Sequence, residues 1–292
     1  MSRRIRSIAD RVAEIEPLDA VADPVGSSIV AAVPQGRTKD LLSGTWLGHP
    51  VHPMLTDVVV GSWVSAAILD LLGERGEEAA DALVGVGIAA AVPTAVTGLS
   101  DWADTAGEAR RIGLVHGIGN VLALGLYSGS LALRRRGRRS SGIALSMLGA
   151  ATATITQYLG GHLVFGQGVG VNQTAFEGGP EAWTPIGDLD DLQERVATRR
   201  RVGDVDVMLY RDRDRVRAIA DRCGHRGCSL SEGEIDGATV TCACHGSVFR
   251  LADGEVLQGP ATGPQTAFET RTRDGVVEIR EKRGSFTSSG LR

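Results

Sequence analysis

Two short stretches of this chain concentrate the side chains that can bind a metal. CGHRGC at 223–228 and CACHGSVF at 242–249 hold all four cysteines and two of the six histidines. The candidate ligands are the first cysteine and the histidine of each stretch, namely Cys223 and His225, then Cys242 and His245. Because thiolates and neutral imidazoles ligate iron and zinc, the sequence predicts a metal site at these residues.

Two kinds of metal site fit this ligand pattern. One is a [2Fe–2S] cluster in which two thiolates hold one iron and two imidazoles hold the other. The short spacing lets each stretch supply one ligand to each iron, and the glycines allow tight loops. The alternative is a structural zinc site with the same four ligands. The zinc alternative gives no role to Cys228 and Cys244. These two cysteines lie at matching positions of the two loops, where a disulfide could join them. The pattern therefore favours the iron–sulfur cluster.

The half of the chain before these motifs is apolar and rich in small residues. Four of its segments approach the roughly 20 apolar residues that a membrane helix needs. They are 54–72, 80–99, 112–133 and 142–165. Polar, charged breaks separate them, and paired small residues allow close helix packing in lipid. A soluble helical bundle stays open because Asp57, Asp70 and Asn120 lie inside the segments. We predict a multi-pass protein of the bacterial cell membrane, with the lipid bilayer as a partner.

Four antiparallel membrane helices would bring the remaining histidines to one side of the bilayer. These histidines are His49, His52, His116 and His162. Everything after residue 166, including the cysteine motifs, falls on the same side. The loop at 134–139 holds five arginines on the opposite side, and the positive-inside rule makes that side cytoplasmic. Arginines near the N-terminus and Arg110 and Arg111 count against this assignment. The sequence predicts an extracytoplasmic location for the cysteine motifs.

The four histidines have two possible roles. They could ligate a haem b or another metal, with Asp57 as a further ligand, since ionisable residues in membrane helices are costly and often functional. Alternatively, GHPVHP at 48–53 caps a helix at the interface, while His116 and His162 bond to neighbouring helices or headgroups. The sequence favours the second, structural role.

Composition and patterning set the domain boundaries. The chain has 292 residues and a net charge of −4. We expect an amphipathic N-terminal segment and tether over 1–44, a four-helix membrane domain over 45–172 and a linker over 173–180. A soluble domain over 181–283 and a flexible tail over 284–292 follow. The N-terminus has no apolar signal-peptide core, and the soluble domain has no basic stripe, so nucleic-acid binding is not expected.

Residues 181–281 resemble a complete Rieske [2Fe–2S] domain. The resemblance rests on WTPIGDLDDL, on both cysteine motifs with their flanking strands, and on the proline-containing loop within QGPATGPQTAFE. It implies an all-β fold and Cys223, His225, Cys242 and His245 as cluster ligands. It also implies a disulfide between Cys228 and Cys244, as in the cytochrome-bc-type branch.

Three positions bear on the reduction potential that the resemblance implies. Ser247 matches a serine whose hydroxyl bonds to a cluster sulfur, whereas Phe249 stands where high-potential members carry a tyrosine. Arg226, after the first histidine, is typical of ferredoxin-type and oxygenase-type members. Since donors to the cluster sulfurs favour the reduced form, we expect an intermediate potential within about −150 to +300 mV.

Residues 45–172 resemble a bacterial family of four-helix membrane proteins of unknown function. GHPVHPMLTDVVVG, RRIGLVHGIGNV and YLGGHLVFGQGVGVN carry this resemblance. It supports a membrane location and implies no activity. The predicted fold class is therefore an all-α transmembrane bundle followed by an all-β Rieske domain.

The predicted function is that of a membrane-anchored carrier of single electrons, serving a redox protein or quinone at the membrane surface. The sequence lacks the further histidines that a mononuclear iron of an oxygenase needs after His245. It also lacks a glycine-rich dinucleotide fingerprint. Two alternatives remain: a quinol-linked oxidoreductase with haem or metal at the membrane histidines, and a redox sensor that uses the cluster or the second cysteine pair.

Overall fold

The structure is a computed structural model that describes residues 7–282. The predicted tail at 284–292 and the first six residues of the predicted N-terminal segment lie outside the described residues. The chain divides into two compact units. A helical unit contains residues 7–34 and 50–169, and a β unit contains residues 35–49 and 170–282.

Six helices form the helical unit, two of them before residue 34 and four long ones after residue 50. They are α1 (Ile8–Ala13), α2 (Asp19–Ala32), α4 (Val51–Asp70), α5 (Glu77–Ala103), α6 (Gly107–Arg135) and α7 (Arg139–Phe165). A further helix, α3 (Arg37–Ser43), belongs to the β unit. The apolar core of the long helices contains Trp63 stacked on Tyr127, with ring centroids 3.9 Å apart.

Three regions of the described chain are long and apolar enough to cross a membrane: Val51–Asp70, Gly73–Ala103 and Gly107–Arg135. The predicted fourth span is present as a helix, α7, but it does not join this set. Its length of 27 residues is sufficient, yet Arg139, three threonines and Gln157 reduce its hydropathy. The fold class is thus confirmed, while the number of clearly apolar helices is three.

The predicted N-terminal segment and tether, residues 1–44, contains helices α1, α2 and α3 in its described part. Two ion pairs attach α2 to the start of α6. Asp23 lies 2.8 Å from Arg110, and Asp19 lies 2.6 Å from Arg111. The sequence did not predict these helices, because the segment shows no strong hydrophobic period and α2 contacts residues far along the chain.

Ion pairs join the ends of α4 and α6 to the starts of α5 and α7. The side chain of Arg134 is fully buried and lies 2.5 Å from Asp70 and 2.9 Å from Asp81. Arg139 contacts the same two carboxylates, at 2.9 and 3.0 Å, and also Glu77. In the sequence, Asp70 kept a soluble bundle as an alternative. In the structure it forms ion pairs with arginines of two other helices.

Two antiparallel sheets form the β unit. Their strands are β1 (Thr184–Asp188), β2 (Ala197–Val202), β3 (Val205–Asp212), β4 (Arg215–Ala220), β5 (Glu234–Asp236), β6 (Thr239–Thr241), β7 (Val248–Arg250), β8 (Val256–Gln258), β9 (Ala267–Arg273) and β10 (Val276–Glu281). The six-stranded sheet has the order β1-β10-β9-β4-β3-β2, and the four-stranded sheet has the order β5-β6-β7-β8.

Strand β3 is buried on both faces and separates two apolar cores. Val207 and Leu209 pack into the core of the six-stranded sheet. Met208 and Tyr210 point the other way, into the core that also contains Cys223 and Cys242. Because side chains alternate along a strand, β3 connects the larger sheet to the part of the molecule that carries the metal-binding motifs.

Candidate metal centre

The two cysteine motifs form loops that leave adjacent parts of the β unit. The first ligand loop connects β4 to β5, and the second connects β6 to β7. In each loop a glycine N–H donates to the carbonyl of the ligand cysteine. Gly227 donates to Cys223 at 2.8 Å, and Gly246 donates to Cys242 at 3.0 Å. Both glycines have positive φ, 78° and 73°, a conformation that other residues rarely adopt.

A second pair of backbone bonds closes each loop. The Cys223 N–H donates to the carbonyl of Cys228, and the Cys242 N–H donates to the carbonyl of Ser247, both at 2.8 Å. Cys228 and Ser247 therefore occupy equivalent places in the two loops. This repeated geometry presents the two ligand cysteines in the same way.

The two ligand cysteines meet as free, buried thiols. Cys223 is 1 % exposed and Cys242 is 2 % exposed. A hydrogen bond between the two sulfurs, together with burial, raises the pKa of Cys223. The same bond lowers the pKa of Cys242 to about 6, with help from the backbone N–H groups of Cys244 and His245. The site can therefore present a thiolate at neutral pH, which is the form that binds metal.

The two candidate histidines also lie together. The ring centroids of His225 and His245 are 5.0 Å apart, and the ring planes are nearly perpendicular, at 86°. Burial, followed by the neighbouring His245, lowers the pKa of His225 to about 3. His225 is consequently neutral at physiological pH, as an imidazole ligand must be.

A disulfide joins the tips of the two loops. Cys228 and Cys244 are bonded, with their Cα atoms 6.5 Å apart, which confirms the predicted pair. The sulfurs of Cys228, Cys242 and Cys244 lie within 4.8 Å of one another. Because the disulfide occupies two of these sulfurs, only Cys242 of the three can ligate a metal. The donor set of two thiols and two imidazoles then fits a [2Fe–2S] cluster with mixed ligation.

Ser247 and Phe249, the two residues expected to bear on the reduction potential, are both buried in the β unit. The Ser247 hydroxyl is buried and accepts a hydrogen bond from the Ala261 N–H at 3.0 Å. This bond uses a lone pair of the hydroxyl and leaves its O–H as a donor. Phe249 is fully buried between strands β6 and β8, in the apolar core behind the ligand loops.

Sequence reasoning identified the proline-containing third loop but missed the residues that support it. The third loop, residues 259–264, follows β8 and includes a cis peptide bond before Pro260. Asp40 accepts a hydrogen bond from its Gly259 N–H at 2.7 Å, and the Thr45 hydroxyl donates to the Ala261 carbonyl at 3.1 Å. No spacing or periodicity in the sequence indicates contacts between residues more than 200 positions apart.

The predicted linker at 173–180 also contacts the first ligand loop. The Gln173 N–H donates to the Gly224 carbonyl at 2.9 Å. Arg222, directly before Cys223, forms an ion pair with Glu177 at 3.1 Å. These residues are therefore attached to the metal-binding end of the β unit.

Three of the other four histidines belong to the helical unit. His52 Nδ1 lies 2.9 Å from the Thr94 carbonyl, on the neighbouring helix. His116 Nδ1 lies 2.7 Å from the Thr156 carbonyl, and its Nε2 lies 3.0 Å from the Asn120 amide. Both ring nitrogens of His116 are thus engaged, which favours a structural role for this residue. His49 is exposed and His162 is half-buried.

Removing the disulfide tests how much it stabilises the loops. For the double variant Cys228→Ser/Cys244→Ser we expect the free energy of unfolding of the β unit to fall by about 3 kcal/mol, since the bond closes a loop of 16 residues. Denaturant unfolding measures this change. A thiol reductant is the control: it should destabilise the natural protein and leave the variant unchanged. Equal stabilities without reductant would contradict a stabilising role.

Comparison with known proteins agrees with this geometry. Residues 182–270 match the Rieske [2Fe–2S] domain, and residues 48–173 match the predicted membrane protein family DUF2231. Ferredoxin CarAc of Metapseudomonas resinovorans is 33 % identical over 34 % of this chain and 94 % of its own length. The anthranilate 1,2-dioxygenase ferredoxin subunit of Burkholderia cepacia is 30 % identical over 33 % of this chain and 90 % of its own length.

Among solved structures, the ferredoxin of carbazole 1,9a-dioxygenase from Nocardioides aromaticivorans IC177 matches 35 % of this chain and 99 % of its own, with 25 % identity and a TM-score of 0.33. The two sequence relatives are covered almost completely, and the Rieske match at 182–270 contains both ligand loops. Through this C-terminal domain the chain belongs to the Rieske [2Fe–2S] family, and it joins that domain to a DUF2231 membrane-protein domain.

Proposed function

We propose that this protein is a membrane-anchored Rieske electron carrier. Cys223 and Cys242 hold one iron of the cluster, and His225 and His245 hold the other. The observation that carries the proposal is the pair of matched loops, which present two buried thiols and two adjacent imidazoles beside a disulfide. When bound, the cluster accepts and releases one electron at a time.

The residues around the ligands set how readily the cluster is reduced. With the cluster bound, the Ser247 O–H would be able to donate to a cluster sulfur and would stabilise the more negative, reduced form. Phe249 offers no second hydroxyl donor. The protein's potential accordingly lies between the two extremes of the Rieske range, about −150 to +300 mV.

The proposed partner is a redox protein at the membrane surface, with a quinone as the second possibility. Support comes from the relatives, which are named as ferredoxins or as the ferredoxin subunit of a dioxygenase. One of these relatives is by its name a subunit of a dioxygenase, and the matched region here covers 94 % of the first relative. A haem at the membrane histidines gains no support from the bonds of His116.

The absorption spectrum of the purified full chain separates the carrier from the haem-linked alternative. We expect the reduced-minus-oxidised spectrum to show only the broad, weak bands of an iron–sulfur cluster. Iron and sulfide analysis should give two of each per chain, the composition of one cluster. Sharp haem bands would instead assign a second redox site to the helical unit, and zinc without iron would overturn the proposal.

The membrane location of the Rieske domain is a further part of the proposal. The disulfide favours an oxidising compartment. The arginine-rich connection between α6 and α7 favours the cytoplasm on the opposite side. Two of its arginines, Arg134 and Arg139, are paired with acids, but the positive-inside rule counts basic residues and not net charge. Both observations support an extracytoplasmic Rieske domain.

Labelling of single introduced cysteines in intact cells tests this orientation. Asp214→Cys places an exposed thiol in the β3–β4 turn, and Arg136→Cys places one in the α6–α7 connection. We expect a membrane-impermeant maleimide to label the first variant and not the second. The natural cysteines do not interfere, because two are buried and two are in the disulfide. The reverse labelling pattern would contradict the proposed orientation.

A further inference from the structure

Residues 35–49 form part of the β unit, although they precede the long helices in sequence. We call them the strap. It contains α3 and is separated from the Rieske match at 182–270 by the whole membrane domain. Residues 35–47 also lie before the DUF2231 match, so they belong to neither family region. The strap is therefore a feature of this chain that neither family relationship explains.

One end of the strap is attached to the third loop. Asp40 and Thr45 hold Gly259 and Ala261 through the two hydrogen bonds described above. A Cβ atom at Gly259 would collide with the Thr45 hydroxyl, so the strap and this loop are closely packed. Ala261 in turn donates its N–H to Ser247 of the second ligand loop. A short chain of contacts thus leads from the strap to the metal site.

The other end of the strap lies on the second ligand loop itself. A Cβ atom at Gly246 would come within 3.2 Å of the Gln35 amide oxygen. Gly246 directly follows the candidate ligand His245 and directly precedes Ser247. The Gln258 amide also donates to the Gly246 carbonyl, at 3.2 Å. The strap therefore packs on the second ligand loop through Gln35 and on the third loop through Asp40 and Thr45.

Lys39 lies between these two contact points and is 3 % exposed. Lysine is almost never buried to this extent, and the only other lysine of the chain, Lys282, is exposed. Its neighbours in the strap contact the two loops described above, since Gln35 packs on Gly246 and Asp40 bonds to Gly259. The basic side chain of Lys39 is thus enclosed where the strap packs on the second ligand loop and the third loop, away from the screening of water.

We propose that Lys39 sets the reduction potential of the cluster from the strap, as a positioning charge that binds no iron. This inference rests on the proposed ligand set. Reduction adds one electron to the cluster and changes no bond, so the site gains one negative charge. A nearby buried cation stabilises that charge more strongly than it stabilises the oxidised state.

Redox titration of the full-length protein, followed by EPR, tests the role of Lys39. For Lys39→Met, which keeps the length of the side chain and removes its charge, we expect the equilibrium constant for reduction to fall about tenfold. For one electron this is a downward shift of about 59 mV. Lys282→Met removes the same charge from an exposed site and should leave the midpoint unchanged. Lys39→Arg keeps the charge and should retain most of the natural potential.

The outcomes separate the inference from the proposed function. If the natural protein gives no cluster signal on reduction, the ligand assignment fails and Lys39 has nothing to tune. If all proteins show the same EPR spectrum and Lys39→Met has the natural midpoint, the ligand assignment stands and the role of Lys39 is wrong. An equal fall of the midpoint potential in Lys39→Met and Lys39→Arg would also overturn the role of Lys39, because a change in packing and not the loss of charge would then be responsible. A Lys39→Met chain that fails to fold leaves Lys39→Gln as the neutral variant, judged by the same criteria.

Discussion

The β unit depends on one constraint: four ligand atoms from two separate loops must be brought together at one site. Each loop meets this constraint by the same means, with a glycine N–H bonded to the ligand cysteine carbonyl and a second backbone bond that closes the turn. The disulfide then fixes one loop against the other. The hydrogen bonds and the crosslink of the protein therefore support the geometry that the ligands need.

The surrounding sheets extend this organisation outward. Strand β3 supplies side chains to both cores, so the position of the ligand cysteines depends on the packing of the larger sheet. The third loop and the strap add polar contacts that the sheets cannot provide, from residues far away in sequence. The chemistry of the site thus has three sources in the chain: the Rieske motifs, the loop after β8 and a segment that precedes the membrane domain.

The sequence predicted the features that local spacing determines, and it missed those that depend on tertiary contacts. The ligand motifs and the disulfide pair followed from short patterns and from the Rieske resemblance. Helix α2 was not predicted, and its ion pairs to Arg110 and Arg111 join residues far apart in sequence. The burial of Lys39 was equally invisible, since a single lysine in a short polar segment is ordinarily exposed.

Pulsed EPR of the reduced full-length protein tests the central claim, mixed ligation of a [2Fe–2S] cluster by these two loops. The account predicts couplings from two imidazole nitrogens in the natural protein and the loss of the signal in Cys242→Ser. It also predicts that a histidine outside the site, as in His49→Gln, leaves both couplings unchanged. A cluster signal without nitrogen couplings, or a protein that binds zinc and gives no signal on reduction, would contradict it.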